Sequence, residues 1–217
     1  EGIKFPSIPG YNLNEATDVL LKRDFDLFRG KNTTHPFLIN QGLEHLIPYD
    51  HPDLNLWTQS LHFGAEGRMH FVHKQTNLKV GGGLDDVWLN TKTNKIHIVD
   101  FKSTSQKKDN GPISLDNYWS ITYKRQMDLY VWVMTKKGFE VENTCFFLYC
   151  DGDRFTKNMF LNDDIANMEF KITLIPYKTD TSWIENTLIK IKENLSSRHR
   201  PIHNERCEFG SFLKHSF

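Results

Sequence analysis

An aspartate in Gly82-Gly83-Leu84-Asp85-Asp86-Val87-Trp88 and an Asp-x-Lys pair in Ile98-Val99-Asp100-Phe101-Lys102-Ser103-Thr104 carry groups that could act together. Carboxylates are hard oxygen ligands suited to Mg²⁺ or Mn²⁺. An ammonium beside them steadies an attacking water or a crowded phosphate. The spacing favours a shared site. Lys95 to Lys102 reads as a strand, so Asp100 and Lys102 project from one face. Thr91-Lys92-Thr93-Asn94 reads as a turn that pairs this strand with the segment bearing Asp85. Asp100 follows Ile96, Ile98 and Val99, and a carboxylate in an apolar strand is costly unless paired or metal-bound. The bland readings are a solvated Asp85-Asp86 turn and a plain Asp100–Lys102 salt bridge.

A third segment, Gln126-Met127-Asp128-Leu129-Tyr130, places Gln126 and Tyr130 on one helical face. With Gly82-Gly83-Leu84-Asp85 and Val99-Asp100-Phe101-Lys102 it resembles the PD-(D/E)XK nuclease superfamily, RecB-like branch. That branch shows Gly-x-hydrophobic-Asp, hydrophobic-Asp-aromatic-Lys and Gln-x-x-x-Tyr in this order. The strong resemblance spans residues 78–134.

The resemblance implies metal-dependent hydrolysis of nucleic acid, DNA in preference to RNA. Asp85, Asp100 and the Phe101 carbonyl would hold Mg²⁺ or Mn²⁺. Lys102 would orient the water, and Gln126 and Tyr130 would position water, phosphate or base. The family pattern puts a hydrophobic residue before the metal aspartate, which selects Asp85 and leaves Asp86 a minor candidate. An upstream Glu or His should complete the metal sphere. Glu44 and His45 are the first choices, with His62, Glu66 and His70 as rivals. Lys107, Lys108, Lys124 and Arg125 are candidate phosphate contacts. Two other classes compete: a non-cleaving nucleic-acid-binding or assembly protein on the same fold, and a small-molecule hydrolase. The second lacks its expected signals, because Gly81–Gly83 is not followed by Lys-Ser or Lys-Thr and no nucleophile elbow occurs.

Some RecB-like nucleases carry an iron–sulfur cluster on an early cysteine and a C-terminal Cys-x-x-Cys group. Here Gly210 stands where the second cysteine of a pair with Cys207 would fall, and only Cys145, Cys150 and Cys207 exist. A cubane cluster ordinarily takes four thiolates, so none is expected. Few cysteines, odd in number, favour a reducing cytoplasm.

The 217 residues, 38% hydrophobic and 13% aromatic, suit one globular domain with a sizeable core. No apolar run approaches ~20 residues, so no transmembrane helix and no membrane partner is expected. The start lacks a basic stretch before an apolar block, so no signal peptide is expected, and Glu1-Gly2 reads as a trimmed start. Lysine plus arginine equals aspartate plus glutamate at 27 each, a mild argument against a generic nucleic-acid coat protein.

These residues need a frame. The periodicity predicts a helix over 14–28 and short helical pieces between the prolines of 32–53. A further short helix is predicted over 54–61. Arg68 to His73, Leu78 to Leu89 and Lys95 to Lys102 predict a three-stranded antiparallel meander. A polar loop over 103–117 and a helix over 118–137 follow, then strands over 144–150 and 169–177. Ser182-Trp183-Ile184-Glu185 has capping-box spacing and opens a helix to about Leu195. The expected fold is a single α/β domain with a restriction-endonuclease-like core. Its mixed central sheet is built from the meander, a helix and a further strand, flanked by helices. The core lies over about 55–177, a helical segment over 12–54, and a helix and tail over 178–217.

Overall fold

The computed structural model describes residues 11–61, 64, 66–107, 111–199, 202–204 and 207–216. It is an α/β fold whose mixed central sheet has helices on both faces. Five strands form that sheet: β1 (Leu46–Pro48), β4 (Asp86–Asn90), β5 (Lys95–Thr104), β6 (Thr144–Gly152) and β9 (Phe170–Lys178), in the order β1-β4-β5-β6-β9. β4 and β5 form an antiparallel hairpin, and β6 lies parallel to β5. The return between those parallel strands runs through helix α4 (Ser120–Lys136), as a parallel crossover requires. β9 then pairs antiparallel with β6 along nine residues.

Alternation on the central strands sorts the core into two layers. Ile96 and Ile98 on β5, with Cys145, Phe147 and Tyr149 on β6, face Met127, Tyr130, Val131 and Met134 of α4. Ile184 and Leu188 of α5 (Ile184–Ser196) join that layer. Val99 and Phe101, with Phe146 and Leu148, face the opposite way. There they meet Phe25 and Leu21 of α1 (Asn12–Asp26). Strands buried on both faces read as nearly continuous apolar runs, which is why β5 and β6 stand out in the sequence.

The predicted meander is corrected. The expected single strand over 78–89 is two strands in two sheets. β3 (Leu78–Gly81) pairs with β2 (His70–His73) in a separate hairpin, and β4 begins only at Asp86. The break falls at the glycine run. Gly81 is pressed on the Met69 carbonyl and Gly82 on the Tyr130 ring, so a side chain at either position would collide with its neighbour. Both hairpin turns place an asparagine, Asn77 and Asn94, at φ near +57° and +58°, which asparagine tolerates better than most residues.

Other elements also differ. Strand β1 lies where short helical pieces were expected, between α2 (Pro36–Asn40) and α3 (Leu54–Trp57). It is a three-residue edge strand ending in Pro48, too short to show alternation. A small hairpin of β7 (Leu161–Asn162) and β8 (Ile165–Ala166) and a terminal helix α6 (Glu208–Ser216) were not anticipated. The Ser182–Glu185 capping box does not form. Glu185 instead accepts hydrogen bonds from His73 at 2.8 Å and Trp132 at 3.2 Å and pairs with Lys136 at 2.7 Å. Among the described residues no helix is long and apolar enough to cross a membrane.

Candidate active site

β5 outruns β4. Their pairing ends at Asp86 opposite Val99, and the same register carried one residue further sets Asp85 opposite Asp100. Asp85 therefore precedes the strand rather than lying in it. Its Oδ2 accepts a 2.7 Å hydrogen bond from the Phe101 amide, replacing the missing ladder partner. In a strand the N–H and C=O of one residue point the same way, so the Phe101 carbonyl is directed to this side too.

Asp100 and Lys102, two residues apart, share the α4-facing side of β5 and form an ion pair. Asp100 is 2% exposed. Although the ammonium lies against Asp100 Oδ2, no hydrogen bond of acceptable geometry reaches that oxygen. Lys102 Nζ also lies 4.8 Å from the centre of the Tyr123 ring and 3.4 Å from the Phe101 carbonyl oxygen. Burial pushes the Asp85 carboxyl well above the usual range. The neighbouring Asp100 charge adds to this, against the pull of Lys102 and the Phe101 amide. Burial also raises Asp100, countered by Lys102 and by a hydrogen bond with Asp85. Two carboxylates so close in a dry site cannot both ionise unless a further cation joins them.

Asp86 takes no part. It points to the α1 side and is 1% exposed. Arg29 Nη2 at 2.8 Å, its own strand's Val87 amide at 2.7 Å and Trp88 Nε1 at 3.2 Å all donate to it. Burial raises its carboxyl against the pull of Arg29, while Asp86 raises Arg29 after burial alone would lower it. Three donors on one carboxylate favour the ionised pair.

α4 delivers Gln126 and Tyr130. Gln126 Nε2 donates to the Tyr130 hydroxyl at 2.7 Å. Burial lifts the Tyr130 phenol to about 12, and the Asp100 and Asp85 charges add to the shift. Gly82 gives this ring its room: a Cβ there would lie 2.7 Å from Tyr130 Cε1.

Of the expected upstream ligands, Glu44 and His45 are not brought to the pair. Glu44 and His45 lie at the far end of the sheet, where the His45 carbonyl accepts from the Thr91 amide at 2.9 Å. The strand distance from that end to Asp100 is five residues, roughly 16 Å. Glu66 is exposed, and His70 turns Nδ1 to the Arg68 carbonyl at 3.1 Å. His62 and Lys108 lie outside the described residues.

The acid that does approach is Asp18 of α1, which the sequence reading missed. Ser103 Oγ donates to its Oδ1 at 3.2 Å, and Thr17 bonds the same hydroxyl. Burial raises the Asp18 carboxyl while the Ser103 bond and Lys102 lower it. Asp18, Lys22, Asp85 and Phe101 line one cleft of about 150 Å³. A signal existed. The sheet-facing line Phe25, Leu21, Asp18 turns from apolar to acidic half-way along α1, beside Ser103 and Lys102.

Two buried carboxylates and a carbonyl make a set of hard oxygen donors that fits Mg²⁺ or Mn²⁺. Among the described residues no cluster of three or more His, Cys, Asp or Glu side chains is gathered tightly enough to be a metal site by side chains alone. Cys145 and Cys150 sit on opposite faces of β6, and Cys207 precedes α6, with Sγ 3.3 Å from His203 Nδ1. Of the candidate phosphate contacts, Lys107 and Arg125 are exposed and Lys124 is half-buried. At about 100° per residue, Lys124 and Arg125 are rotated off the Gln126–Tyr130 line of α4. Comparison with protein-family models, curated proteins and solved structures returns no match.

Proposed function

We propose that this chain is a metal-dependent nuclease of the PD-(D/E)XK type, built on a restriction-endonuclease-like core, that hydrolyses phosphodiester bonds in nucleic acid, DNA in the first instance. The observation that carries the reading is the Asp85–Asp100 pair. Two carboxylates are buried close together, Asp100 paired with Lys102 and with one oxygen lacking a hydrogen bond. Such a pair is destabilising as it stands, and a divalent cation resolves it.

Asp85, Asp100 and the Phe101 carbonyl would hold Mg²⁺ or Mn²⁺, with Asp18 lining the same cleft as Asp85. The ion, when bound, supplies an acidified water and charge stabilisation for the transition state. Lys102 orients the nucleophile and offsets charge on the phosphate. Gln126 both donates and accepts, so it can hold a water or phosphate oxygen while its amide is anchored on Tyr130. The protonated Tyr130 phenol can donate to a phosphate oxygen. Exposed Lys107 and Arg125 offer longer-range attraction for the backbone.

The test is incubation of labelled single- and double-stranded DNA with Mg²⁺ or Mn²⁺, with EDTA as the control. Metal-dependent products from the wild type, absent with Asp100→Asn, are expected. Binding without cleavage under all metal conditions would establish a non-cleaving binder instead.

A further inference from the structure

Beside the carboxylate pair lies a second cavity, of about 440 Å³, that the proposed chemistry does not use. It opens between the end of β5, the neighbouring Tyr149 of β6, the loop over 112–117 and the first turn of α4. Its volume falls within the range of small-molecule sites, about 300–1,000 Å³. It has room for one nucleoside but not for a base pair with two backbones.

The lining chemistry selects the occupant. Among the described residues Lys102 is the only charged group in the wall. That ammonium is already paired with Asp100, so the cavity is not built to grip phosphate. The remaining wall is hydroxyl, amide and ring, including Ser114, Asn117, Trp119, Tyr123 and Tyr149. Burial holds the Tyr149 phenol neutral, up to about 12. A neutral planar heterocycle with hydrogen-bonding edges matches such a wall.

Two further observations fix the strand. Lys102 belongs both to this wall and to the carboxylate pair, so the occupant is a near neighbour of the phosphate under attack. Trp119 in the wall is 76% exposed, and its neighbour Tyr118, 78% exposed, lies edge-to-face with it at a ring-centroid distance of 5.7 Å. Large aromatic faces left in water beside a positively charged active-site residue are the platforms on which unpaired bases stack.

The geometry points to this cavity as the seat of one unpaired nucleobase of a single-stranded nucleic acid, stacked on Trp119 next to the scissile phosphate. The inference rests on the nuclease reading for its position, yet its binding test does not need cleavage. Duplex enters only where an end frays or a base leaves the stack.

Fluorescence anisotropy with Ca²⁺ in place of Mg²⁺ reads the preference. The probes are a fluorescein-labelled single-stranded oligodeoxynucleotide and the same strand annealed to its complement. The single strand is expected to bind at least about tenfold tighter. Trp119→Ala should weaken its binding by about fivefold to a hundredfold, the usual span for one stacked base, and Trp119→Phe should recover most of it. Ser114→Phe, which fills the cavity from the loop side, should weaken it independently. In Mn²⁺, Trp119→Ala should raise KM for the single strand and leave kcat within about twofold, as loss of pure binding does. Equal or tighter duplex binding, or wild-type single-strand affinity in both Trp119→Ala and Ser114→Phe, overturns the inference. A Trp119-dependent single-strand preference without any cleavage keeps this pocket and removes the nuclease reading. Cleavage without the preference does the reverse.

Discussion

The carboxylate of Asp85 caps the amide of Phe101 at 2.7 Å, one residue beyond Asp100, where β5 has run past the end of β4. A ladder position is thereby filled by a side chain instead of a backbone. The substitution carries the second acid to the first without lengthening β4. It also places three oxygen sources, Asp85, Asp100 and the Phe101 carbonyl, around one frayed point of the sheet.

Asp100→Asn and Lys102→Ala should each lower cleavage by ~10³-fold or more, since both remove electrostatic support at the reacting phosphate. Their effects on stability should differ. Asp100→Asn relieves like-charge crowding in a buried site, so its melting temperature without metal should equal or exceed that of the wild type. Lys102→Ala leaves Asp100 without its cation and should melt lower. Steady-state cleavage and thermal melts of both variants check this, and near-normal cleavage by either would falsify the mechanism.

Asp85 and Asp86 are adjacent, yet their loss should have opposite signatures. Asp85→Asn should abolish Mn²⁺ binding measured by calorimetry while leaving the fold intact. Asp86→Ala strips Arg29 of a 2.8 Å partner in a nearly sealed position, with Asp26 and the Tyr49 carbonyl as its remaining contacts. A cost on the order of 3 kcal/mol is expected in denaturant unfolding. Metal affinity in the surviving folded protein should be near that of the wild type. If Asp86→Ala were as stable as the wild type and failed to bind Mn²⁺, the assignment of the two roles would be reversed.

Much of this frame was legible because burial on both faces writes itself into β5, β6 and α4 as long apolar stretches. Asp100 was visible as a charge inside such a stretch. The phase of Asp85 was less legible. Gly81–Gly83 suggested a weakened strand, but a complete change of sheet depends on close approaches to Met69 and Tyr130, which no local pattern records. Asp18 was hidden for a related reason. Its significance comes from Ser103, 85 positions away, and α1 carries several acids that look alike in sequence. Glu185 misled in the opposite direction. A capping-box spacing was present, but His73, Trp132 and Lys136 outcompete the helix terminus for its carboxylate.

Gly82 and Tyr130 should behave as a coupled pair. An added methyl at Gly82 would meet Tyr130 Cε1 at 2.7 Å and its hydroxyl at 3.1 Å, and the ring is 7% exposed with little room to retreat. Gly82→Ala should therefore cost about 1–3 kcal/mol, the usual span for overpacking. It should also reduce cleavage by shifting Tyr130 off Gln126. In Gly82→Ala/Tyr130→Ala the clash is gone, so the double variant should be more stable than the sum of the single changes. Strict additivity of the two stability changes would mean that ring and glycine do not press on each other in solution.

Metal binding should be linked to a proton. The Asp85 carboxyl is pushed up to about 7 by burial and by Asp100, whereas an unfolded aspartate titrates near 3.9. Between about pH 4 and 7 the metal-free native state thus holds more protons than the unfolded chain. The contribution of this carboxyl to stability without metal should fall as pH rises through that window and level off above it. The cation needs both carboxylates ionised, so its binding should run the other way. Mn²⁺ affinity should be flat above about pH 7 and fall by up to about tenfold per unit below it, with release of about one proton. Calorimetric titrations across this range, in buffers of differing ionisation enthalpy, measure both slope and proton count. Mn²⁺ affinity that stays constant from about pH 5 to 8 would show that the two carboxylates do not share a proton in the free protein, and the electrostatic argument for a metal at Asp85 and Asp100 would fail with it.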